Sequence, residues 1–141
     1  MSAPRIFTVR EAEATLPLVR RVVNDLLAAY PRWREHVARY EVLTGPLRSD
    51  DVEPAELRET REAVTREAER INGYMQELER VGCVFKGFEA GLVDFYALKE
   101  DRLVFLCWKL DEEHITHWHE VDSGFAGRQP IDSGMLSETV V

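Results

Sequence analysis

The chain has 141 residues, enough for one domain with a sizeable core but too few for two. Hydrophobic residues make up 45% of it and charged residues 31%, as in a folded, soluble protein rather than a disordered one. The formal net charge of −8 repels the phosphate backbone of nucleic acids, and no basic stripe outweighs its acidic neighbours. We therefore expect a single domain, residues 1–141, that binds no nucleic acid.

The sequence also predicts a protein with no membrane partner. Its first residues lack the apolar stretch of a signal peptide, and no apolar run approaches the ~18 residues that cross a bilayer. The two cysteines, Cys83 and Cys107, are too few for a disulfide framework. These features predict a reduced, cytoplasmic protein.

Residues 6–82 have the pattern of two long helices. Thr8 and Glu11 have the spacing of a capping box, in which each side chain satisfies a backbone N–H at a helix start. Pro17 lies about two turns into this helix, where it is expected to end it, kink it or restart it. Pro31 is expected to bend the helix further along.

Both helices carry an apolar seam. Between residues 16 and 40 the apolar positions recur in alternating steps of three and four, which is the coiled-coil pattern. Between residues 57 and 78 apolar residues recur at steps of seven, after Pro54 at a helix start and before Gly82 at a helix end. Two such helices joined by a short loop predict an antiparallel hairpin.

An isolated hairpin would leave large residues beside the seam exposed, among them Val22, Leu27 and Tyr74. A sheet packed on the hairpin would cover some of them. A second copy of the chain is the predicted cover for the rest, which makes the protein a homodimer through its helices.

After Gly82 the apolar period changes from about 3.5 to about 2. We therefore predict an antiparallel sheet of three to four strands within residues 83–131, the strands lying near 83–88, 92–98, 103–110 and 114–121. Residues 132–141 carry few packing residues and are expected to fray. The predicted fold is thus α+β, a long coiled-coil-like antiparallel helical hairpin followed by a small antiparallel sheet.

The pair His117 and His119 is the main candidate for a metal site. Residues two apart on a strand project from the same face, so both imidazoles can bind one ion. Zinc needs one or two further N, S or O ligands. Asp94 and Glu120 are the acidic members of the predicted site, although Glu120 has the wrong parity unless a bulge re-aims it.

Other interpretations of these residues stay open. The histidines can instead line the solvent-facing side of an outer strand. Asp94, inside an apolar strand, needs a partner and can be a member of a structural ion pair. Cys107 is either a further ligand from the adjacent strand or a small buried core residue.

Arg128 is the candidate anion contact. It follows Gly127 in a segment with two glycines three apart, and a guanidinium can bind a carboxylate or phosphate through two hydrogen bonds. Residues 122–130 lack the strand–turn–helix context of a phosphate loop. The alternative is a structured turn that holds the C-terminal segment over the sheet edge.

Several segments together resemble one family. They are RIFTVREAEATLPLV at 5–19, GLVDF at 91–95, LCWKL at 106–110 and WHEVDSGFAGRQPI at 118–131. The sequence is similar to a small bacterial and archaeal family catalogued as domain of unknown function 2203. The resemblance brings no activity with it; it places Asp94, His119, Glu120 and Arg128 inside the motif segments, whereas His117 lies where the family more usually has another residue.

Two functions from different classes follow. The first is a divalent-metal site, zinc foremost, or a small-anion site at the sheet around His119. The second is a non-catalytic dimeric scaffold that acts through its helices. No pairing of a nucleophile with a base is identifiable, so the sequence does not decide whether the protein is an enzyme.

Overall fold

The computed structural model describes residues 4–132, which form two helices followed by one antiparallel sheet. The helices are α1 (Val9–Thr44) and α2 (Ala55–Val81). The strands are β1 (Val84–Gly87), β2 (Leu92–Lys99), β3 (Arg102–Lys109), β4 (His117–Glu120) and β5 (Gln129–Pro130), with a 3-10 turn at Phe125–Gly127 before β5. The α+β fold is confirmed, and the sheet gains a fifth strand of two residues. The tail predicted to fray, 132–141, lies outside the described residues except for Asp132.

Helix α1 begins at the predicted capping box. The Thr8 hydroxyl accepts from the Glu11 N–H at 3.0 Å, and the Glu11 carboxylate accepts from the Thr8 N–H at 2.9 Å. The helix then runs through both Pro17 and Pro31, so the expected end or restart at Pro17 does not occur. Leu16 and Val19, on either side of Pro17, are buried, and this packing offsets the missing hydrogen bond.

The helical seam packs inside a single chain. Its members Leu16, Val19 and Leu26 belong to the core shared with the sheet. Val22 is 1% exposed, and Leu27 and Tyr74 are partly buried against the same core. The residues that suggested a second copy are therefore covered within the chain, and the homodimer stays a prediction without that argument.

The sheet is an antiparallel meander in the order β1-β2-β3-β4-β5. Phe95 lies opposite Leu106, and Leu106 opposite Trp118, in one row across three strands. This row belongs to the helix-covered core, and Phe7, just before α1, packs edge-on against Phe95. Because side chains alternate between faces, the neighbouring residues of β2, β3 and β4 point away from the helices.

Within residues 4–132, neither helix has a stretch that is both long and apolar enough to cross a membrane.

Candidate metal site

Three potential metal ligands converge on the sheet face that points away from the helices. They are Asp94 on β2, Cys107 on β3 and His119 on β4, one from each of three adjacent strands. Asp94 lies directly opposite Cys107 in the register, whereas His119 lies opposite Phe105, two residues along. The His119 ring therefore approaches the other two side chains diagonally, a separation that a long side chain can span.

The three donor groups are close together and shielded from water. A carboxylate oxygen of Asp94, the sulfur of Cys107 and a ring nitrogen of His119 all lie within 4.8 Å of one another. Asp94 and His119 are 3% exposed and Cys107 is 1% exposed. Polar groups buried to this extent need partners, since each unsatisfied one costs free energy.

Hydrogen bonds define the orientation and tautomer of His119. Its Nδ1 lies 2.7 Å from the backbone oxygen of Glu120. A carbonyl oxygen only accepts, so Nδ1 carries a hydrogen and donates it. In the neutral ring, Nε2 then holds the free lone pair, which is the arrangement of a histidine that binds a metal through Nε2.

The Nε2 lone pair of His119 points at the carboxylate of Asp94. Both carboxylate oxygens lie 3.2 Å from this nitrogen. Two acceptors this close repel each other unless a positive centre lies between them. That centre is either a proton shared by Asp94 and His119 or a metal ion bound by both.

Burial favours the protonated form of two of the three groups when no metal is bound. Burial raises the pKa of Asp94 above its ordinary value, although the charge and hydrogen bond of His119 and the charge of Lys86 act to lower it. Burial, reinforced by the charge of Asp94, raises the pKa of the Cys107 thiol to about 11. Zinc binds the thiolate rather than the thiol, so at neutral pH a bound ion would displace the proton of Cys107.

A cavity of about 260 Å³ opens beside these ligands. Its lining includes Asp94, Cys107 and His119, together with Lys86 from β1 and residues of the loop 121–128, which we call the cover segment. A water molecule occupies about 30 Å³ in the liquid, so the cavity has room for a small molecule. A ligand in this cavity would contact an ion held by the three side chains.

Arg128 holds the cover segment onto the sheet. Its guanidinium donates to the backbone oxygen of Cys107 at 3.1 Å and to the carboxylate of Glu112 at 2.7 Å, and it lies over the ring of Phe125 at 4.8 Å. Although burial acts in the opposite direction, the hydrogen bond from Arg128 lowers the pKa of Glu112. Arg128, the predicted anion contact, is thus engaged by a carboxylate of the protein itself.

The structure brings only two of the four predicted metal ligands together, Asp94 and His119. His117 lies opposite Cys107 on the same face, but its Nδ1 is 2.8 Å from the hydroxyl of Thr116. The side chain of Glu120 forms two hydrogen bonds with Arg102, at 2.7 and 3.0 Å. Glu120 contributes to the group through its backbone oxygen, which orients His119.

Two residues of the site were not selected as site residues from the sequence. Cys107 was considered as a ligand, but its apolar strand equally indicated a core residue. Its position opposite Asp94 becomes visible only once the strand register is known. Lys86 follows Phe85 on a short edge strand, and no sequence signal connects it with the histidines.

The sequence comparison agrees with the motif segments. The sequence model of the family described as "Uncharacterized conserved protein (DUF2203)" matches residues 5–131. The match covers nearly the whole chain, and the protein therefore belongs to this family. No curated protein and no solved structure matches the chain significantly.

Proposed function

We propose that the protein binds one divalent metal ion, with zinc as the preferred ion, through Asp94, Cys107 and His119. The observation that carries the proposal is the convergence of three buried donors from three strands, with the Nε2 lone pair of His119 directed at the Asp94 carboxylate. A metal ion bound by both groups would supply the positive centre that this contact needs, and the hydrogen bond from Nδ1 to the Glu120 carbonyl leaves Nε2 as the nitrogen that would bind it.

The types of donor atom favour zinc. One imidazole nitrogen, one thiolate and one carboxylate oxygen are all ordinary ligands of zinc, whereas magnesium and calcium prefer oxygen donors alone. Three protein ligands leave one position of a tetrahedral ion open. The cavity beside the group supports this, because it would leave room for a small molecule at that fourth position.

The test is metal analysis of protein prepared without a histidine tag and loaded with zinc, followed by removal of unbound ion. We expect about one zinc per chain in the wild type and a loss of most of it in His119→Ala and Cys107→Ser. His117→Ala is the matched control, because it removes the same side chain from the same strand and should keep its zinc. A wild type without bound zinc, or equal zinc in all four proteins, would overturn the proposal.

A competing function, the helical scaffold, has its own supporting observation. In the described part of the chain, no residue between 31 and 70 belongs to the core that joins the helices to the sheet. The far half of the hairpin, which contains Val42 at 74% exposure, is thus available to a second copy of the chain. Sedimentation velocity of the wild type and of Val42→Glu tests this function. A dimer that the substitution dissociates supports the scaffold, and a monomeric wild type contradicts it.

A further inference from the structure

We propose that the open position of the bound ion receives the carboxylate of a small organic acid with an apolar body, and that the Lys86 ammonium is its second contact. The inference rests on the proposed metal site and adds the chemical class of its ligand. Three properties of the cavity lead to it, namely its charge, its walls and its size.

The charge of the loaded site favours an anion. A divalent ion is neutralised by the thiolate of Cys107 and the carboxylate of Asp94, while His119 binds as a neutral ring. Arg128 and Glu112 cancel each other as an ion pair. Among the described residues that line the cavity, the ammonium of Lys86 is therefore the one charge left unbalanced, and the lining carries a net charge of plus one.

Lys86 is positioned to contact a ligand of the ion. It lines the same cavity as the three metal ligands, and its Nζ lies 5.3 Å from the centre of the Phe105 ring. It forms no ion pair with another residue of the described part of the chain. Its charge acts on the nearby carboxylate of Asp94, but a bound ion would take up that carboxylate, and an anion bound beside the metal would then balance Lys86.

The walls of the cavity favour an organic acid over inorganic phosphate. Leu92, Phe105, Val121 and Phe125 contribute apolar surface to the lining. Val121 and Phe125 are 47% and 43% exposed, which is high for large apolar side chains beside a buried polar group. An apolar ligand body would cover part of them, and burial of apolar surface on binding is favourable.

The size of the cavity limits the acid. A volume of about 260 Å³ corresponds to about nine water molecules at roughly 30 Å³ each. A four-carbon acid or a single aromatic ring with one carboxylate fits this volume. Butyrate and benzoate are therefore suitable probes, and butyramide is the uncharged analogue of butyrate.

The experiment uses the full chain loaded with cobalt(II) in place of zinc, because cobalt bound to nitrogen, oxygen and sulfur absorbs visible light and reports changes in its ligands. Butyrate or benzoate is added while the absorption of the cobalt is recorded. We expect a saturable change with either acid, a much weaker response to phosphate, and none with butyramide at the same concentrations. Lys86→Met should weaken butyrate binding by about tenfold or more, which is the loss of one charge contact.

Lys109→Met is the matched control. It removes the same charge, but Lys109 pairs with Asp111 and lies outside the cavity lining. This variant should bind butyrate as the wild type does, and the cobalt content of both variants shows that the metal site is intact.

The outcomes separate the two proposals. A wild type that binds no cobalt and no zinc overturns the metal site and this inference with it. Stoichiometric cobalt with an absorption spectrum that butyrate and benzoate leave unchanged overturns this inference alone. Equal butyrate affinity in Lys86→Met and Lys109→Met overturns the role of Lys86, and tighter binding of phosphate than of either acid overturns the organic-acid class.

Discussion

Nε2 of His119 and both carboxylate oxygens of Asp94 are 3.2 Å apart, although 25 residues separate them in the chain and β3 lies between their strands. The contact spans β3 because the His119 side chain, which starts opposite Phe105, reaches diagonally across the sheet face towards Asp94, which lies opposite Cys107. Each of the three side chains of the site is placed by a different strand, so the contact depends on the packing of all three strands.

The substitution Asp94→Asn should affect metal binding and stability in opposite directions. It removes a carboxylate ligand, so zinc should be lost. It also replaces a buried carboxylate, whose raised pKa shows that its ionised form is disfavoured, by a neutral amide that can donate to His119. The metal-free variant should therefore be more stable than metal-free wild type at pH 7, by of the order of 1 kcal/mol. Urea unfolding with a chelator present and zinc analysis measure both effects, with the exposed Asp122→Asn as a control that changes neither.

The stability difference between these two metal-free proteins should also depend on pH. The pKa of Asp94 is raised in the folded state, so between pH 3.8 and that raised pKa the folded chain holds a proton that the unfolded chain has lost. Stability then falls as the pH rises through this range. Asparagine does not titrate, so Asp94→Asn should not lose stability in this way. The excess of its free energy of unfolding over that of the wild type should therefore grow from pH 4 to pH 7. An advantage that shrinks with rising pH would contradict the assigned direction of the shift.

Zinc affinity should rise with pH. The pKa of the Cys107 thiol is about 11 without metal, so zinc must displace a proton from it at neutral pH. The apparent affinity is therefore expected to increase about tenfold for each unit between pH 7 and pH 9. Competition with a chromophoric chelator at fixed ionic strength measures it. Cys107→Ser should bind weakly, and a wild-type affinity independent of pH would argue against thiolate ligation.

Arg128 should contribute more to stability than Arg102. In Arg128→Met the carboxylate of Glu112, whose side chain is 17% exposed, loses its partner. Because breaking a buried ion pair leaves an uncompensated charge, we expect a loss of about 2 kcal/mol or more. Arg102→Met breaks the exposed pair with Glu120 and should change stability little. Equal losses in urea unfolding of the two variants would contradict the assigned role of Arg128.

Alanine should have opposite effects at two glycines. Gly91 has φ +63°, and a Cβ there would lie 2.9 Å from Val23 and 3.0 Å from both Leu110 and Leu27. Gly91→Ala therefore needs both a strained backbone and repacking, and should cost about 2 kcal/mol or more. Gly73 lies inside α2 with nothing within 4 Å of such a Cβ, so Gly73→Ala should stabilise the protein by up to about 1 kcal/mol. Thermal unfolding measures both effects: the melting temperature should fall in Gly91→Ala and rise in Gly73→Ala.

Local patterns were sufficient for most of the architecture. The steps of three and four along α1 and the change of period after Gly82 predicted the hairpin and the sheet, because the spacing of apolar residues must match the geometry of the element that buries them. The capping box at Thr8 was readable for the same reason, as both partners lie within one turn. Of the outcomes expected at Pro17, an end or a restart of the helix did not occur, since buried packing on both sides holds the helix across it.

The sequence by itself determined the two helices, the meander and the presence of Asp94 and His119 in strands that could face each other. Only the tertiary structure decided that Cys107 lies beside Asp94 and His119, and that Lys86 lines the cavity next to them. It also decided that the side chain of Glu120 pairs with Arg102 instead of joining the site. The physical reason is that a strand's own pattern sets which side chains share its face, while the register between strands and the path of the cover segment set which of them meet. The register and the path of this segment depend on contacts between residues far apart in the chain, which no local spacing encodes.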